Sequence, residues 1–450
     1  MAQDPEPGPA GPGLKYTWKQ LFAGFWRLAK PYWSSEERWS AIALLASVVS
    51  LVLASVYLTV QFNTWNRDFY NAVQAFKEGL FWSLLLKFTW LAALFIIVNV
   101  FQSYLGQVLQ NRWRRWMTRR FLDHWLSDKS HYLWQLGATA SDNPDQRISE
   151  DVRDFVRQSL GLSIGLISQV TTFCSFIAIL WILSGSLAIP LGHGHSLNVP
   201  GYMAFVCLLY AIVGTWLSHR IGHPLIGLNY EQQHFEANFR FGLVRLRENG
   251  ESVALSEGED VEKGSLSGLF DWVYGNFMAL IRRQMWLDFF STGYDQIAII
   301  FPFLVAAPRY FAKKIGLGGL FQVSNAFGYV KDSLSWVVAN YSTLAFWRSV
   351  VERLDGFEMD IARTKGMRAA ALQVLGSSPE AGAVLLDGLT LSLPGTEGPL
   401  TVPLTRAFAA GKSVLISGPS GCGKSTLLRA MRGLWPFATG RVLLPPGESV

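Results

Sequence analysis

The chain has 450 residues, of which 50% are hydrophobic and only 16% are charged, against a charged share of about 25% in typical soluble domains. This composition, together with 18 Trp and 30 Phe, argues against an ordinary soluble domain and favours a membrane protein. The formal net charge of +6 raises nucleic-acid binding as an alternative, which the positions of Lys and Arg must decide.

The N-terminal residues predict a disordered segment followed by a helix on the membrane surface. Residues 1–15 are rich in Pro and Gly and contain no apolar core, so we predict disorder and no signal peptide. Residues 16–33 mix aromatic and aliphatic side chains with basic ones, which is typical of an interfacial helix. Ser34 and Glu37 have the spacing of a capping box, which predicts the start of a new helix there.

Six apolar stretches reach the roughly 20 residues that a helix needs to span a bilayer. They cover residues 39–66, 88–111, 158–192, 196–218, 289–308 and 315 to about 347. The first four contain no charged residue, whereas Asp295 interrupts the fifth, and Lys331 and Asp332 lie in the sixth. The sequence therefore predicts a mainly α polytopic membrane protein with a six-span transmembrane domain over residues 16–358.

Basic residues are concentrated in alternate connections between these spans. The N-terminal segment and residues 112–157 and 220–283 are rich in Lys and Arg, whereas the connection between the third and fourth spans has neither. Because Lys and Arg accumulate on the cytosolic side of membrane proteins, we expect both termini in the cytosol. Arg309, Lys313 and Lys314 would then lie on the opposite side as a mild exception.

The basic run at residues 112–120 directly follows a predicted span, so membrane orientation explains it better than a nucleic-acid site does. We therefore expect the lipid bilayer, and no nucleic acid, as a partner. Cys174, Cys207 and Cys422 lack the spacing of a disulfide framework or a metal site, in keeping with a reducing cytosol at the C-terminal end. The expected location is the cell inner (plasma) membrane.

Ionisable residues inside a span are candidates for a functional site by default. Asp295 in the fifth span and Asp332 in the sixth are therefore predicted to line a hydrophilic cavity on the pathway of a solute. Asp288 lies seven residues before Asp295, on nearly the same helical face. The alternative, equally open from the sequence, is that these side chains pair with one another or lie near the cytosolic face.

After the last span the pattern changes to that of an α/β domain. Residues 359–381 are predicted to be a polar linker, and residues 382–450 the start of a nucleotide-binding domain. Short apolar runs predict strands at residues 384–386, 389–393, 400–402, 413–417 and 441–444. Residues 426–431 predict a helix with Leu427, Leu428 and Met431 on one face.

A phosphate-binding loop lies between the strand and the helix just described. The residues that match the pattern G-x-x-x-x-G-K-[ST] and its flank are Gly418, Pro419, Ser420, Gly421, Cys422, Gly423, Lys424, Ser425 and Thr426. Glycines allow backbone N–H groups to turn inward around a phosphate, Lys424 reaches the β- and γ-phosphates, and Ser425 is the expected Mg²⁺ ligand. We predict ATP and Mg²⁺ as cofactors. The thiol of Cys422 is either reactive among these N–H groups or a tolerated small residue.

A membrane domain followed by a P-loop domain resembles an ABC half-transporter. Residues 142–151, DNPDQRISED, closely resemble the first-loop motif of the peroxisomal fatty-acyl transporter subfamily and its bacterial relatives. Residues 247–258 look like the second-loop motif of the same group. WRRW at 113–116 and SWVVANY at 335–341 look most like the bacterial branch, the SbmA/BacA-like permeases fused to an ATPase.

The resemblance implies coupling segments that contact the ATPase domain. The residues carried over are Asp142, Asn143, Pro144, Asp145, Gln146 and Arg147 in the first motif, and Glu248 and Glu251 in the second. The alternative is that both are solvated charged loops, because Asn-Pro initiates a helix without any partner.

The resemblance also implies a function. It implies a subunit of an ATP-driven transporter that pairs with a second half-transporter, as a homodimer, and takes up a hydrophilic, cobalamin- or peptide-like solute. The alternatives are a lipid or acyl-CoA exporter, a proton-driven permease with a vestigial P-loop, and a nucleotide sensor that transports nothing.

Two departures from the family pattern qualify this expectation. Residues 389–399 contain no aromatic side chain to stack on adenine, which leaves nucleotide selectivity open. The glutamine loop, the LSGGQ signature, the Walker B carboxylates and the switch histidine are absent from the sequence. The resemblance therefore implies a C-terminally truncated half-transporter, with no catalytic residue assigned and no ATP hydrolysis by this chain alone.

Overall fold

A computed structural model describes residues 16–136, 143–190, 196–373, 375–377, 383–394, 398–409 and 411–445. Asp142 and the predicted disordered segment lie outside these residues. The chain forms two compact units. We call Met1–Ser47, Tyr104–Leu162 and Thr343–Val450 the P-loop unit, and Val48–Ser103 and Ser163–Ser342 the span unit.

Most of the described chain is helical. The α-helices are α1 Trp18–Trp33, α2 Arg38–Gln74, α3 Glu78–Leu126, α4 Ser130–Leu136, α5 Pro144–Gln146, α6 Val152–Ser184, α7 Tyr202–Gly222, α8 Pro224–Glu248, α9 Gly250–Leu255, α10 Glu259–Phe311, α11 Leu317–Ala339, α12 Tyr341–Gln373 and α13 Lys424–Met431. A 3₁₀ turn, Ser127–Lys129, joins α3 to α4, and a π-helical turn, Arg147–Asp151, joins α5 to α6.

Among the described residues, five helices are long and apolar enough to cross a membrane. They are Arg38–Gln74, Glu78–Trp134, Pro144–Ser184, Tyr202–Glu248 and Glu259–Phe311. Within the most apolar 18 residues of each helix, only 11% to 33% are buried inside the protein. The remaining residues are available to contact lipid. The mainly α polytopic class is confirmed. The sixth predicted span falls on α11 and the start of α12, which are not among the five, so the count of six stays a prediction.

The predicted third and fourth spans extended too far into the connection between them. Helix α6 ends at Ser184 and α7 begins at Tyr202, and an antiparallel hairpin, β1 Ser186–Pro190 and β2 Ser196–Pro200, lies between them. Gly185 (φ +58°) directly follows α6 and Gly201 (φ +67°) directly precedes α7, and both adopt the left-handed conformation that favours glycine. The N–H of Gly201 donates to the carbonyl of Gly185 at 2.8 Å and closes the base of the hairpin. An uncharged sequence was therefore not sufficient evidence for helix.

The capping box lies at the first helix and not at the second. The Thr17 hydroxyl accepts from the N–H of Gln20, whose side chain accepts from the N–H of Thr17. The Ser34 hydroxyl instead donates back to the carbonyl of Lys30 at 3.2 Å. The predicted box between Ser34 and Glu37 was wrong, because Ser34 completes the C-terminus of α1.

Helix α12 runs through most of the predicted linker and leads into a small mixed sheet. Within the described residues the sheet has four strands in the order β3-β6-β4-β5, namely β3 Leu375–Ser377, β6 Ala438–Leu444, β4 Val384–Leu391 and β5 Leu404–Phe408. Strand β3 is parallel to β6, and the other pairs are antiparallel. The core of this sheet combines Leu386, Leu389, Val442 and Trp435 with Met431 of α13.

The strand predictions were partly right. The runs at 384–386 and 389–393 merge into β4, and the run at 441–444 is confirmed within β6. The run at 400–402 is not a strand, since β5 begins two residues later. Residues 413–417 are not part of the described sheet, and Leu415 among them is 90% exposed. An apolar run without a neighbouring strand has no ladder in which to pair.

Candidate functional site

The phosphate loop owes its backbone path to two glycines. Gly421 has φ +84° and Gly423 has φ +96°, a region that side chains other than Gly rarely adopt. Gly423 is the residue that caps the start of α13. A Cβ atom at Gly423 would lie 3.0 Å from Cδ2 of Leu400. Conformation and packing therefore both select glycine at this position.

Lys424 lies folded over the loop that precedes it. Its Nζ donates to the carbonyl oxygens of Gly418 at 2.8 Å and Pro419 at 2.9 Å, and it lies 3.8 Å from Sγ of Cys422. These partners are neutral, and an anionic phosphate is a stronger acceptor for an ammonium group than a carbonyl. The donor set therefore fits a phosphate. Ser425 is exposed in the first turn of α13, where its hydroxyl is accessible.

Helix α13 forms as predicted, but its buried face is different. Thr426, Ala430 and Met431 are buried, and Leu427 packs against the sheet core. Leu428 is 53% exposed, so its predicted place on the buried face was wrong. The buried positions follow the four-residue spacing of a helix face.

Residues 143–147 are the described part of the first coupling motif. They form an exposed turn that ends at a buried residue. Asn143 precedes α5 with no side-chain capping hydrogen bond, and Pro144 occupies the first helical turn. Asn143, Asp145 and Gln146 are exposed, whereas Arg147 is buried. The exposed turn is accessible to a partner surface, and the buried end is fixed within the P-loop unit.

Arg147 belongs to a buried ion-pair cluster centred on Asp151. Nη1 of Arg147 lies 2.5 Å from Oδ2 of Asp151. Arg353 of α12 donates to the same carboxylate from Nε at 3.0 Å and from Nη2 at 2.6 Å. Sequence reasoning did not assign Arg353 to a site, because it follows the last apolar stretch with no motif of its own.

A second contact links residues 112–157, which we call the first basic connection, to the four-stranded sheet and α13, which we call the nucleotide end of the chain. Leu136, the last residue of α4, packs against the core of the four-stranded sheet. Leu133 and Trp134, which precede it in the same helix, are also buried. Sequence reasoning missed this contact, because α4 matches no motif. A helix-period apolar pattern in residues 130–136 was the available signal.

The second-motif residues lie on adjacent helices of the span unit. Glu248 is the last residue of α8, and Glu251 lies in the short helix α9. Both side chains are exposed, and Leu255 at the end of α9 is 81% exposed. Their coupling role stays a prediction.

The predicted pathway residues Asp295 and Asp332 line one cavity of about 620 Å³ in the span unit. Lys331 lies between them, with Nζ 2.6 Å from Asp295 and 3.2 Å from Asp332. The lysine is 12% exposed, whereas the two carboxylate side chains are 63% and 68% exposed. Asp288 and His219 also line the cavity. The two carboxylates thus line a cavity and also pair with Lys331, which combines two of the possibilities that the sequence left open.

The N-terminal helix is fastened to α12 by a buried carboxylate. The Tyr16 hydroxyl donates to Oδ2 of Asp355 at 3.0 Å, and Nε of Arg27 lies 3.4 Å from Oδ1. Burial, together with the Asp355 charge, raises the pKa of Tyr16 to about 12. One helical turn further on, burial raises the pKa of Glu358, opposed by its partner Arg120.

The long apolar helices and the phosphate loop together define a membrane protein that binds nucleotide. Two family models match the chain: the ABC transporter transmembrane region 2 over residues 28–311, and the ABC transporter domain over residues 403–450. The chain belongs to the ABC transporter family whose members carry transmembrane region 2. It is accordingly an ATP-binding transmembrane transport protein.

Several known proteins are similar over nearly the whole of this chain. The inner membrane ABC transporter ATP-binding protein YddA of Escherichia coli (strain K12) is 31% identical, with 96% of this chain and 76% of that protein covered. The chloroplastic ABC transporter D family member 2 of Arabidopsis thaliana is 32% identical, with 95% and 61% covered. The lysosomal cobalamin transporter ABCD4 of Homo sapiens is 23% identical, with 97% and 73% covered. The chain therefore spans 61% to 76% of the length of these relatives.

Proposed function

We propose that the chain is a subunit of a dimeric ATP-driven transporter that takes up a hydrophilic, cobalamin- or peptide-like solute across the cell inner membrane. The observation that carries the proposal is the cavity among α7, α10 and α11 that is lined by Asp295, Lys331 and Asp332, in a chain that also carries a folded phosphate loop. Because members of the family couple ATP to transport, we assign the solute to the cavity and ATP to the phosphate loop.

The charges in the cavity favour a hydrophilic solute over a lipid. Lys331 faces both Asp295 and Asp332, so two carboxylates share one ammonium group and the trio has a net charge of about −1. Each carboxylate side chain lines the cavity and is more than 60% exposed. Exposed carboxylates within a membrane span require water around them, because hydrocarbon cannot solvate an ion. A hydrated cavity suits a water-soluble solute and disfavours an acyl chain.

The phosphate loop supplies the proposed nucleotide site. Lys424 and the backbone N–H groups of residues 418–426 would hold the phosphates, and the Ser425 hydroxyl would hold Mg²⁺. Hydrolysis of ATP by the assembled transporter would supply the free energy that drives transport. The protein's own part is to exchange the contacts of Lys424 with Gly418 and Pro419 for a contact with the anion.

The arrangement in the membrane is proposed on the positions of basic residues. Both termini are assigned to the cytosol, together with the connections at residues 112–157 and 220–283. The partner is a second half-transporter, most simply another copy of this chain. The names of the relatives, an inner membrane transporter and a cobalamin transporter, support the location and the solute class. The finer assignment to the SbmA/BacA-like branch rests on the motifs at 113–116 and 335–341.

Reconstitution of the full-length gene product in vesicles tests the proposal. Labelled cobalamin and a labelled hydrophilic peptide are offered as solutes, with and without ATP and Mg²⁺. We expect ATP-dependent flux that Lys424→Ala abolishes and that Lys412→Ala, at an exposed lysine before the loop, preserves.

The alternatives give different results in the same assay. Flux that survives Lys424→Ala and stops when the proton gradient collapses identifies a proton-driven permease. Movement of a labelled lipid or acyl-CoA in place of either solute identifies an exporter of that class. ATP binding without flux of any of these compounds identifies a sensor.

A further inference from the structure

Asp151 lies where two long helices of the P-loop unit meet. It is the last residue of the π-helical turn that leads into α6, and its carboxylate accepts from three nitrogen atoms. One belongs to Arg147 in the same turn, and two belong to Arg353 on α12, 202 residues later in the chain. The side chain of Asp151 is only 4% exposed.

The geometry of this contact is specific. Arg353 approaches both carboxylate oxygens through Nε and Nη2, which is the fork arrangement that fixes a guanidinium and a carboxylate in orientation as well as in distance. Burial strengthens the attraction, because the low local dielectric screens it less than water does. Removing Asp151 would leave two guanidinium groups near each other without the anion between them.

The backbone at this point is also unusual. Arg147–Asp151 forms one π-helical turn, closed by the N–H of Val152 donating to the carbonyl of Arg147. The wide turn places Arg147, Ile148 and Asp151 on the buried side, whereas Ser149 and Glu150 are exposed. Single π turns within α-helices are rare and are found frequently at functional sites. Here the turn aims the carboxylate of Asp151 at α12.

The Asp151–Arg353 contact joins two helices that lead to different parts of the protein. Asp151 directly precedes α6, one of the helices long enough to cross the membrane. Arg353 lies on α12, which continues unbroken to Gln373, shortly before β3 of the sheet against which α13 packs. The same connection also contacts the sheet core through Leu136. The first basic connection is thus attached at two places, to α12 through Asp151 and to the sheet core through Leu136.

We infer that Asp151 is a positioning residue that joins α6 to α12 through Arg353, so that movement of the nucleotide end reaches a membrane-spanning helix by a charged joint as well as by the Leu136 contact. This inference rests on the proposed function, since only a transporter has movement to transmit. It assigns to Asp151 and Arg353 a role in coupling ATP use to solute movement.

A transport assay of the full-length gene product tests the role. Asp151→Asn and Arg353→Gln are each expected to lower the amount of labelled cobalamin or peptide moved per ATP hydrolysed by about tenfold. Nucleotide affinity, measured with a fluorescent ATP analogue, stays within about twofold because neither residue touches the phosphate loop. The control is Arg363→Gln, which removes an exposed arginine from the same helix and leaves the ratio unchanged.

A purely structural role predicts a different outcome. In that case flux and ATP hydrolysis fall together with the amount of folded protein, and solute moved per ATP stays constant, which overturns the inference. Arg353→Lys covers the possibility that Asp151→Asn does not fold, because it keeps the charge and loses the fork. A lysine variant that couples as well as the wild type also overturns the inference.

A distance measurement separates this inference from the proposed function. Spin labels at exposed Ser149 and Ala362 report whether the π-helical turn and α12 remain at a fixed separation. We expect one narrow distribution in the wild type and a broader one in Asp151→Asn. A narrow distribution in both proteins contradicts the role of the Asp151–Arg353 contact even if transport is observed. If no flux is detected but the distribution broadens as expected, the proposed function is contradicted and the contact is supported.

Discussion

The hydroxyl of Tyr16 lies 3.0 Å from Oδ2 of Asp355, across 339 residues of sequence. This contact fastens the chain two residues before α1 to the middle of α12, where Asp355 is only 1% exposed. The ionised form of Tyr16 would place a second negative charge beside that carboxylate. The stability of the P-loop unit should therefore depend on pH in the alkaline range.

We expect the stability to fall as pH rises above 10. The pKa of Tyr16 is 10.0 in the unfolded chain and about 12 in the folded protein, because burial and Asp355 both disfavour the phenolate. The stabilising contribution of the neutral hydroxyl is thus fully present below pH 10 and is lost as pH rises towards 12. Thermal unfolding in detergent between pH 8 and 12 measures this. Tyr16→Phe should flatten that part of the profile, and an unchanged profile contradicts the assignment.

Gly24→Ala should destabilise the same attachment. A Cβ at Gly24 would lie 2.9 Å from Oδ2 of Asp355, closer than a carbon can approach without displacing the carboxylate. We expect a loss of about 1–3 kcal/mol, as for other overpacked buried positions, measured as a lower unfolding temperature. Gly79→Ala on α3 is the matched control, because no atom lies within 4 Å of its added Cβ. Equal behaviour of the two variants would contradict the packing seen at Gly24.

Substitution of Leu136 should loosen the nucleotide end from the first basic connection. Leu136→Ala removes apolar contact with the sheet core, at a cost of about 1–3 kcal/mol. Hydrogen exchange of β4 and β6 is the measurement, and faster exchange is expected. Leu126→Ala is the control, since that side chain is 55% exposed on α3. Unchanged exchange in Leu136→Ala would show that the sheet is independent of α4.

Both carboxylates of the cavity should contribute to transport. Asp295→Asn and Asp332→Asn are each expected to reduce solute flux, because each removes one charge facing the cavity. Asp260→Asn, at an exposed position near the start of α10, is the control and should have no effect. Flux equal to the wild type in both cavity variants would refute their place on the solute pathway.

Lys331→Met should be more damaging than either aspartate substitution. It leaves two carboxylates facing each other with no cation between them, which like-charge repulsion disfavours. Adding Asp295→Asn to Lys331→Met neutralises one of the two charges and so abolishes that repulsion, which should restore part of the yield of folded protein, measured by gel filtration in detergent. No recovery in the double variant would show that Lys331 acts through other contacts.

Alkylation of Cys422 should block nucleotide binding. Its Sγ lies 3.8 Å from Nζ of Lys424, so an added maleimide group would occupy the space that the phosphate needs. Binding of a fluorescent ATP analogue after mild treatment with N-ethylmaleimide is the measurement. Cys422→Ser should bind the analogue and resist the reagent. A wild type that still binds after complete labelling shows that residue 422 is only a tolerated small side chain.

The sequence was sufficient where a single physical signal dominates. Long uncharged runs predicted the membrane helices, since few other structures tolerate them, and the spacing of Gly418, Gly423 and Lys424 predicted a turn into α13. It was insufficient where two structures share a signal. The uncharged residues of the β1–β2 hairpin cannot be distinguished by composition from those of a membrane helix. In the same way, the Ser34–Glu37 spacing can occur at the end of a helix as well as at its start.

The sequence was also insufficient to predict contacts between residues that are far apart in the chain. The sequence drew attention to Asp145 and Arg147 in a motif, but the partner of their segment, Arg353, lies about 200 residues away and follows no pattern. The same holds for Leu136, whose neighbours in the sheet come from another part of the chain. Periodicity and motifs report local structure, and these pairings depend on how the helices pack.

The unbroken length of α12 makes it a lever arm. With a rise of 1.5 Å per residue, the 20 residues from Arg353 to Gln373 extend over about 30 Å. A tilt of about 5° at the Asp151–Arg353 contact would therefore displace the end of the helix by about 3 Å, as much as the length of a hydrogen bond. A small rotation near the membrane would thus reach the nucleotide end as a displacement large enough to make or break individual contacts.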